Sequence, residues 1–524
     1  MKNKLIIIYS LLAVLLCSCE DFLDRQPLTD YSPTSLFTSE IDALAALNGC
    51  YRGWESGSWI FYMDCGSDNA LSPYIWEGYQ MFGNMLLLTP TNLGNHKWNF
   101  STIQKCNWFL ASIDKAPIDD NLLKRMKGEA RFLRAYKYFI MSQLYGDVPL
   151  ITTNITTEEA NSITRNSKAD VVKFILDELV AITNDLPDSY SGNDVGRITK
   201  GAAWALKARV ELFNQKYEDC VASCNNIIGK YTLFPNYTDL FRIQNENNSE
   251  IILDIEYLEN DVALTSLGVM TPHIANNGWY SVDPTQSLVD AYEMSNGKTI
   301  DDPSSGYDPE DPYKDRDPRL LETIVVPGSF YEGSYFSPLE NWPGNADYYA
   351  TNNYTGFCVK KYTPFLSDFT DMWNVGLNIP IIRYAEVLLT YAEAKIELDQ
   401  IDNSVYEAID KVRDRAGLPA VDQSVYNTQT KMRELIRRER RVELAMEGLR
   451  FFDIQRWRIG NEVLSGPVYG SRLGTVDLVT GKLSFTSGQI LNETRVFNET
   501  KNYLWPVPQA QIDINKNLTQ NPGY

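Results

Sequence analysis

Apolar residues recur every three or four positions through most of the first half of the chain, the period of a helix with one buried face. Residues 38–54 form one amphipathic run. Further on, Ile103, Cys106, Leu110 and Ile113 mark one face, and Leu123, Met126, Ala130 and Leu133 mark another. Pro117, Pro149, Pro187 and Asn214 punctuate these runs, so the pattern predicts a chain of antiparallel helix pairs over residues 98–228.

The clearest pair is ITKGAAWALKARVELFNQKYEDCVASCNNIIGKY. Ala202, Ala203, Ala205, Ala208 and Ala222 permit close helix approach, while Trp204, Leu212, Phe213, Tyr217 and Ile227 fill the gaps. In its length of about thirty-four residues and its small and large positions it resembles a tetratricopeptide repeat. An ordinary helical hairpin predicts the same pattern.

The period fades over residues 236–369, where Pro, Gly, Asn, Asp and Tyr crowd together and Glu250-Ile251-Ile252-Leu253-Asp254-Ile255 reads as a short strand. Long irregular excursions of this kind usually carry binding. Helices return over residues 384–398, 404–415 and 428–457, with Gly417-Leu418-Pro419 as a stop between the last two. In the last of these, Arg437, Arg438, Arg440 and Arg441 interleave with Glu434, Glu439, Glu443 and Glu447 at three- and four-residue spacings. That spacing predicts mutual pairing rather than a basic surface.

The N-terminus supplies an address. Lys2 and Lys4 precede an apolar stretch over residues 5–16, and Leu16-Cys17-Ser18-Cys19 reads as a lipoprotein cleavage box with Cys19 as the lipid acceptor. Twelve apolar residues make about 18 Å of helix, short of a roughly 30 Å hydrocarbon core, so a spanning helix fails on length. The expected organisation is a leader at residues 1–18, a helical region at 19–235, and a C-terminal region at 236–524. That last region holds the loop-rich insert at 236–375 and the closing helices at 380–460. Residues 20–34, with Pro27 and Pro33, read as a tether.

The formal charge of −20 becomes −22 once Lys2 and Lys4 leave with the leader, a field that repels phosphate backbones and excludes nucleic acid as a natural partner. Cys50, Cys65, Cys106, Cys220, Cys224 and Cys358 make no staple framework in so long a chain and are expected as small buried hydrophobes, with at most one bridge. His96 and His273 are the two histidines, and the sequence has no H-E-x-x-H, G-x-S-x-G, P-loop or G-x-G-x-x-G. No catalytic residue, metal site or cofactor is assigned. Two metals are weighed: one at Cys220 and Cys224 with Glu218 and Asp219, set aside because the chain has only two histidines, and calcium at the acid-rich residues 290–317, where the D-x-D-x-D-G spacing is missing.

Seven blocks in order carry a resemblance across the whole mature chain: CEDFLD, GEARFLRAYKYFIMSQLYGDVPL, GRITKGAAWALKARVELF, YKDRDPRL, IPIIRYAEVLLTYAEAKIEL, IRRERRVELAMEGLRFFDIQRW and YLWPVPQAQIDINKNLTQNPGY. Together they resemble the SusD/RagB lipoproteins, with a small departure at Lys516, where that family often has Pro. The resemblance implies a mainly α fold, with about four tetratricopeptide-like helix pairs supporting a loop-rich lobe that contains short strands. It implies a protein lipid-anchored to the outer face of the outer membrane, a sorting role for Glu20-Asp21, and a SusC-like TonB-dependent transporter as partner. It also implies oligosaccharide as a ligand that is bound and not cleaved.

Sugar rings present a face of C–H groups, which suits the flat apolar faces of Trp and Tyr, with Asp, Asn and Arg left to bind hydroxyls. The chain has 31 Tyr and 11 Trp. One cluster holds Trp59, Tyr62, Trp76 and Tyr79 around Asp64, Asp68 and Asn69; a second, in the insert, holds Trp279, Tyr280, Trp342, Tyr348, Tyr349 and Trp373. These are the candidate ligand contacts. For each aromatic the alternative is a loop anchor, and for Asp64 and Asp68 a turn or cap. Tyr136, Tyr138, Phe139 and Tyr145, at helical spacing, are expected in the core. Two other functions stay open: a glycoside hydrolase built on two of the many carboxylates, and a transporter scaffold that binds no ligand.

Overall fold

The computed structural model describes residues 37–265, 270, 278–351, 353–363 and 368–524. The expected lipid acceptor Cys19, its leader and the tether through Pro33 lie outside the described residues. The scaffold helices are α1 (Glu40–Tyr51), α2 (Gly57–Met63), α3 (Ser101–Ser112), α4 (Asp120–Tyr145), α5 (Lys168–Ile182), α6 (Lys200–Phe213), α7 (Tyr217–Asn225), α8 (Tyr384–Glu397), α9 (Asn403–Arg415), α10 (Gln429–Glu443) and α11 (Arg450–Trp457).

Local chemistry sets their ends. The Asp119 carboxylate accepts from the N–H groups of Asn121 and Leu122 at the start of α4, and Gly146, at φ +71°, ends it. Ser167, Thr199, Asp402 and Thr428 cap α5, α6, α9 and α10 in the same way. Helix α1 packs on α3, α4 on α5, α6 on α7 and α8 on α9, giving four successive pairs. Because α5 also packs on α6 and α7 on α8, the pairs form one continuous mainly α stack. The alanines of α6 at 202, 203, 205 and 208 are buried, as are Tyr136, Tyr138, Phe139 and Tyr145 of α4. All six described cysteines are buried free thiols.

The insert leaves the stack after α7 and returns before α8. Its two ends are stitched by β1 (Ile251–Ile255), which pairs antiparallel with β2 (Ile379–Arg383). A long hairpin, β3 (Gly466–Val476) with β4 (Leu483–Arg495), has no counterpart in the sequence reading. Its register shifts at several points along β4, which scrambles the alternation that marks a regular strand.

The helix predicted over residues 428–457 is two helices. Between α10 and α11 the chain turns, with Met446 at φ +63° and Gly448 at φ +72°. A Cβ on Gly448 would lie 2.8 Å from the Ile60 carbonyl oxygen, so glycine is required by close approach as well as by conformation. The arginines of α10 also find partners other than those expected. Arg438 pairs with Glu293, Arg440 with Glu393 and Asp453, and Arg441 with Asp68, all outside the helix.

The α10 glutamates point into a buried ionic network. Glu443 Oε1 accepts from Arg383 at 2.6 Å and also from Arg415, and Glu443 Oε2 accepts from Arg319 at 2.9 Å. Arg319 also holds Glu439 at 2.6 Å and Asp317 at 2.8 Å; Arg383 holds Glu250 at 2.8 Å, and Lys361 holds Glu447 at 2.6 Å. Burial pushes the Glu443 carboxyl up, but three guanidiniums pull it well below the usual carboxylate range. Glu443→Gln should cost about 3–5 kcal/mol, because it leaves buried guanidiniums without compensation. A folded value below the unfolded one, about 4.3, means this stabilisation is complete above that pH and is lost as pH falls through the folded value. Urea denaturation should therefore show a wild-type advantage over Glu443→Gln that is full at neutral pH and shrinks in acid.

Candidate functional site

The first aromatic cluster begins where α2 runs out at Met63. Asp64 is buried: Asn69 Nδ2 donates to its Oδ1 at 2.7 Å and the Gly448 N–H to its Oδ2 at 2.8 Å, while burial pushes the carboxyl up to about 6. Asp68 is gripped by Arg450 at 2.8 and 2.9 Å and by Arg441 at 3.1 Å. Burial alone would raise the Asp68 carboxyl, yet the two guanidiniums hold it well below its ordinary value. Asn69 Oδ1 accepts from Arg441 at 2.9 Å, and Arg495 at the end of β4 donates to the Ser67 and Ala70 carbonyls at 2.5 and 3.1 Å.

These three polar residues are therefore corrected from ligand candidates to internal ties. Their hydrogen-bonding capacity is spent on the protein, because the turn they belong to is folded down onto the α10–α11 junction. Three aromatics move with them. Tyr62 and Tyr79 stack on each other with centroids 3.9 Å apart, both buried, and Trp59 is buried under the Lys97 ammonium, 4.2 Å from its ring centroid. Tyr280 of the insert is fully buried as well, its hydroxyl donating to Asp347. All four are anchors.

What those anchors present is a different set of rings. Trp76 exposes 75% of its surface on the short turn Ile75–Glu77, and Tyr74 stacks on it with centroids 4.6 Å apart. Tyr354 meets Tyr74 edge-on at 5.9 Å. Trp279 and Trp373, 49% and 39% exposed, meet edge-on at 5.3 Å, and the half-buried Tyr348 and Tyr349 at 4.8 Å. Trp342 is half-buried in the loop that leads to that tyrosine pair.

Four ties join the segments that carry Trp76, Trp279, Tyr348 and Tyr354. Ala70–Leu71 pairs antiparallel with Asp283–Pro284. Ser281 Oγ donates to Glu77 Oε1 at 2.6 Å, fixing the segment of Trp279 to the turn of Trp76. The Tyr354 N–H donates to Asp283 Oδ2 at 3.2 Å, and the Tyr280 to Asp347 bond brings in the loop of Tyr348. Asp283 is wholly buried, and burial, with the Tyr354 N–H opposing and Glu77 reinforcing, pushes its carboxyl well above the usual carboxylate range. The result is an aromatic platform: three groups of rings on loops tied together by buried polar contacts. Tyr74 and Tyr354 belong to it and were missed by the sequence reading. The signal for Tyr74 was its place two residues before Trp76; nothing local marks Tyr354.

A SusD family profile matches residues 241–524. The chain belongs to the SusD family. A second profile, described as starch-binding associating with outer membrane, matches residues 21–212. Among SusD-family relatives, a SusD-like protein of Formosa agariphila is 25% identical over 512 residues, covering 90% of this chain and 92% of its own. The starch-binding protein SusD of Bacteroides thetaiotaomicron is 24% identical over 465 residues, covering 80% of this chain and 76% of its own. A solved SusD-like carbohydrate binding protein from Bacteroides fragilis superposes with a TM-score of 0.82 at 32% identity, over 92% of this chain and 99% of that one.

Ring position decides what a substitution does. Trp76→Ala, at an exposed site, should shift folding stability by no more than about 0.5 kcal/mol, whereas Tyr62→Ala should cost about 3–5 kcal/mol. Urea denaturation of the two variants against wild type measures both.

Proposed function

We propose that this protein is a surface glycan-binding lipoprotein. It captures oligosaccharides on the aromatic platform and passes them uncleaved to a SusC-like TonB-dependent transporter in the outer membrane, to which it stays close through lipid on Cys19. The observation that carries this reading is the exposure of Trp76, Trp279 and Trp373 beside aromatic rings of the same segments, such as Tyr79 and Tyr280, that are buried as anchors. A large exposed aromatic surface that the fold does not consume marks a binding site. Family membership adds support, as do the carbohydrate-binding and starch-binding descriptions of the relatives.

The physical basis is shape and preorganisation. An indole face that loses roughly 80 Å² of exposed apolar area against the C–H face of a sugar contributes about 2 kcal/mol. Several rings held at fixed angles by buried ties let a ligand bind without first ordering the loops. Capture without cleavage is supported at the first cluster, where the carboxylates Asp64 and Asp68 are inside and bonded to the protein.

A glycan array on the protein identifies the polysaccharide, and affinity gels containing it then measure retention. Each of Trp76→Ala, Trp279→Ala and Trp373→Ala should weaken retention about tenfold or more, and the triple variant should abolish it. Unchanged retention in the triple variant would place the binding site elsewhere. Overnight incubation with the same glycan should release no shorter sugars. Cys19→Ala should remove the protein from the surface in whole-cell protease assays.

A further inference from the structure

A second cavity, about 620 Å³, lies on the helical scaffold and shares no residue with the aromatic platform. Its walls come from the N-terminal end of α6, the loop before it, the turn after α7 and the strand β1. Trp204 and Tyr231, both half-buried, line it together with the exposed amide of Asn247, the exposed Lys230 and the buried carboxyl of Asp254. Trp204 is the large residue among the alanines of α6, read from sequence as a gap filler; it does not close its gap.

Two glycines keep this space lined with polar ends. A Cβ on Gly201 would fall 2.0 Å from the Tyr231 hydroxyl, and one on Gly196 would fall 1.9 Å from Glu256 Oε1. Asn247 stands at φ +52°, a conformation that asparagine tolerates better than most residues, and spends one donor on Glu256 at 3.3 Å. Burial, with Glu256 and Glu246 adding repulsion, pushes the Asp254 carboxyl up to about 8, so at neutral pH it is mostly an uncharged donor and acceptor. The nearby charges are largely satisfied: Arg197 pairs with Glu129 and Asp194, and Lys200 lies 3.8 Å from Asp188. An aromatic wall, an amide, a neutral carboxyl and a volume in the range of small-molecule sites match the surface of an uncharged sugar better than that of an ion or an apolar ligand.

The geometry points to a second saccharide site on the scaffold, built on Trp204, Tyr231 and Asn247, that takes a neutral mono- or disaccharide unit. It draws on the glycan-binding reading above for ligand class alone. A second weak site on the same protein would let one long glycan engage at two points and so be held more tightly than by either.

The test uses the full chain labelled with 5-fluorotryptophan in a sugar-free detergent, with the Trp204 resonance assigned by its loss in Trp204→Phe. Maltose, cellobiose, lactose and sucrose are the probes, and glycerol is the control. At least one disaccharide should shift the Trp204 resonance saturably, and Asn247→Gly, which suits the positive φ, should weaken that binding about three- to tenfold. The shift should persist in the Trp76→Ala, Trp279→Ala, Trp373→Ala triple variant. No saturable shift, an equal shift with glycerol, an unchanged affinity in Asn247→Gly, or loss of the shift in the triple variant would each overturn the site. A shift that persists when the platform itself binds no glycan would separate this site from the platform reading.

Discussion

Glu443 receives three guanidiniums in a fully buried position, and most of the architecture depends on that arrangement staying filled. Arg319 comes from the insert, Arg383 from the strand that closes the insert, and Arg415 from the end of α9. One carboxylate thus joins the helical stack to both sides of the loop-rich excursion. Burying charges is costly, and pairing at best roughly repays the cost. The gain lies in register: each partner admits one position for the element that carries it.

The same stretch of chain holds the platform. Just past Glu443 the backbone turns through Met446 and Gly448 and at once supplies the N–H that Asp64 accepts, followed by Arg450, which grips Asp68. Arg441, two residues before Glu443, completes the grip through Asn69. The turn bearing Trp76 is therefore fixed from below by residues far away in sequence, and the insert rings are fixed to that turn by Ser281 and Asp283. Rigidity passes from ionic core to surface ring in a few bonded steps.

Much of the fold was legible from periodicity, because helices bury one stripe and announce it every three or four residues. The helix pairs between residues 98 and 228, the strand at Ile251–Ile255 and the helix at Tyr384–Glu397 are where the pattern put them, while the number of four pairs came from the family resemblance. The helix break after Glu443 was hidden, since Gly448 reads as an ordinary helix glycine until the carbonyl of Ile60 is known to lie against it. The β3–β4 hairpin was hidden by its bulges. For the platform, Trp76, Trp279 and Trp373 were named as ligand candidates and are exposed, but the buried rings Trp59, Tyr62, Tyr79 and Tyr280 were grouped with them. Composition counts aromatic rings without saying which way they face. For Asp64, Asp68 and Asn69 the deciding partners come from a segment several hundred positions later, beyond the reach of any local rule.

The contact of α7 with α8 closes the stack across the insert, and the pairing of β1 with β2 draws the two ends of the excursion together. Closing a flexible loop costs only about 0.6 kcal/mol more for each doubling of its length. The scaffold can therefore tolerate large changes in what lies between those ends, provided the arginine at position 319 still reaches its carboxylates. The shape of the excursion and the stability of the fold are in that sense separable: the span between those ends can lengthen or shorten at small entropic cost while the helices beneath it go on folding as before.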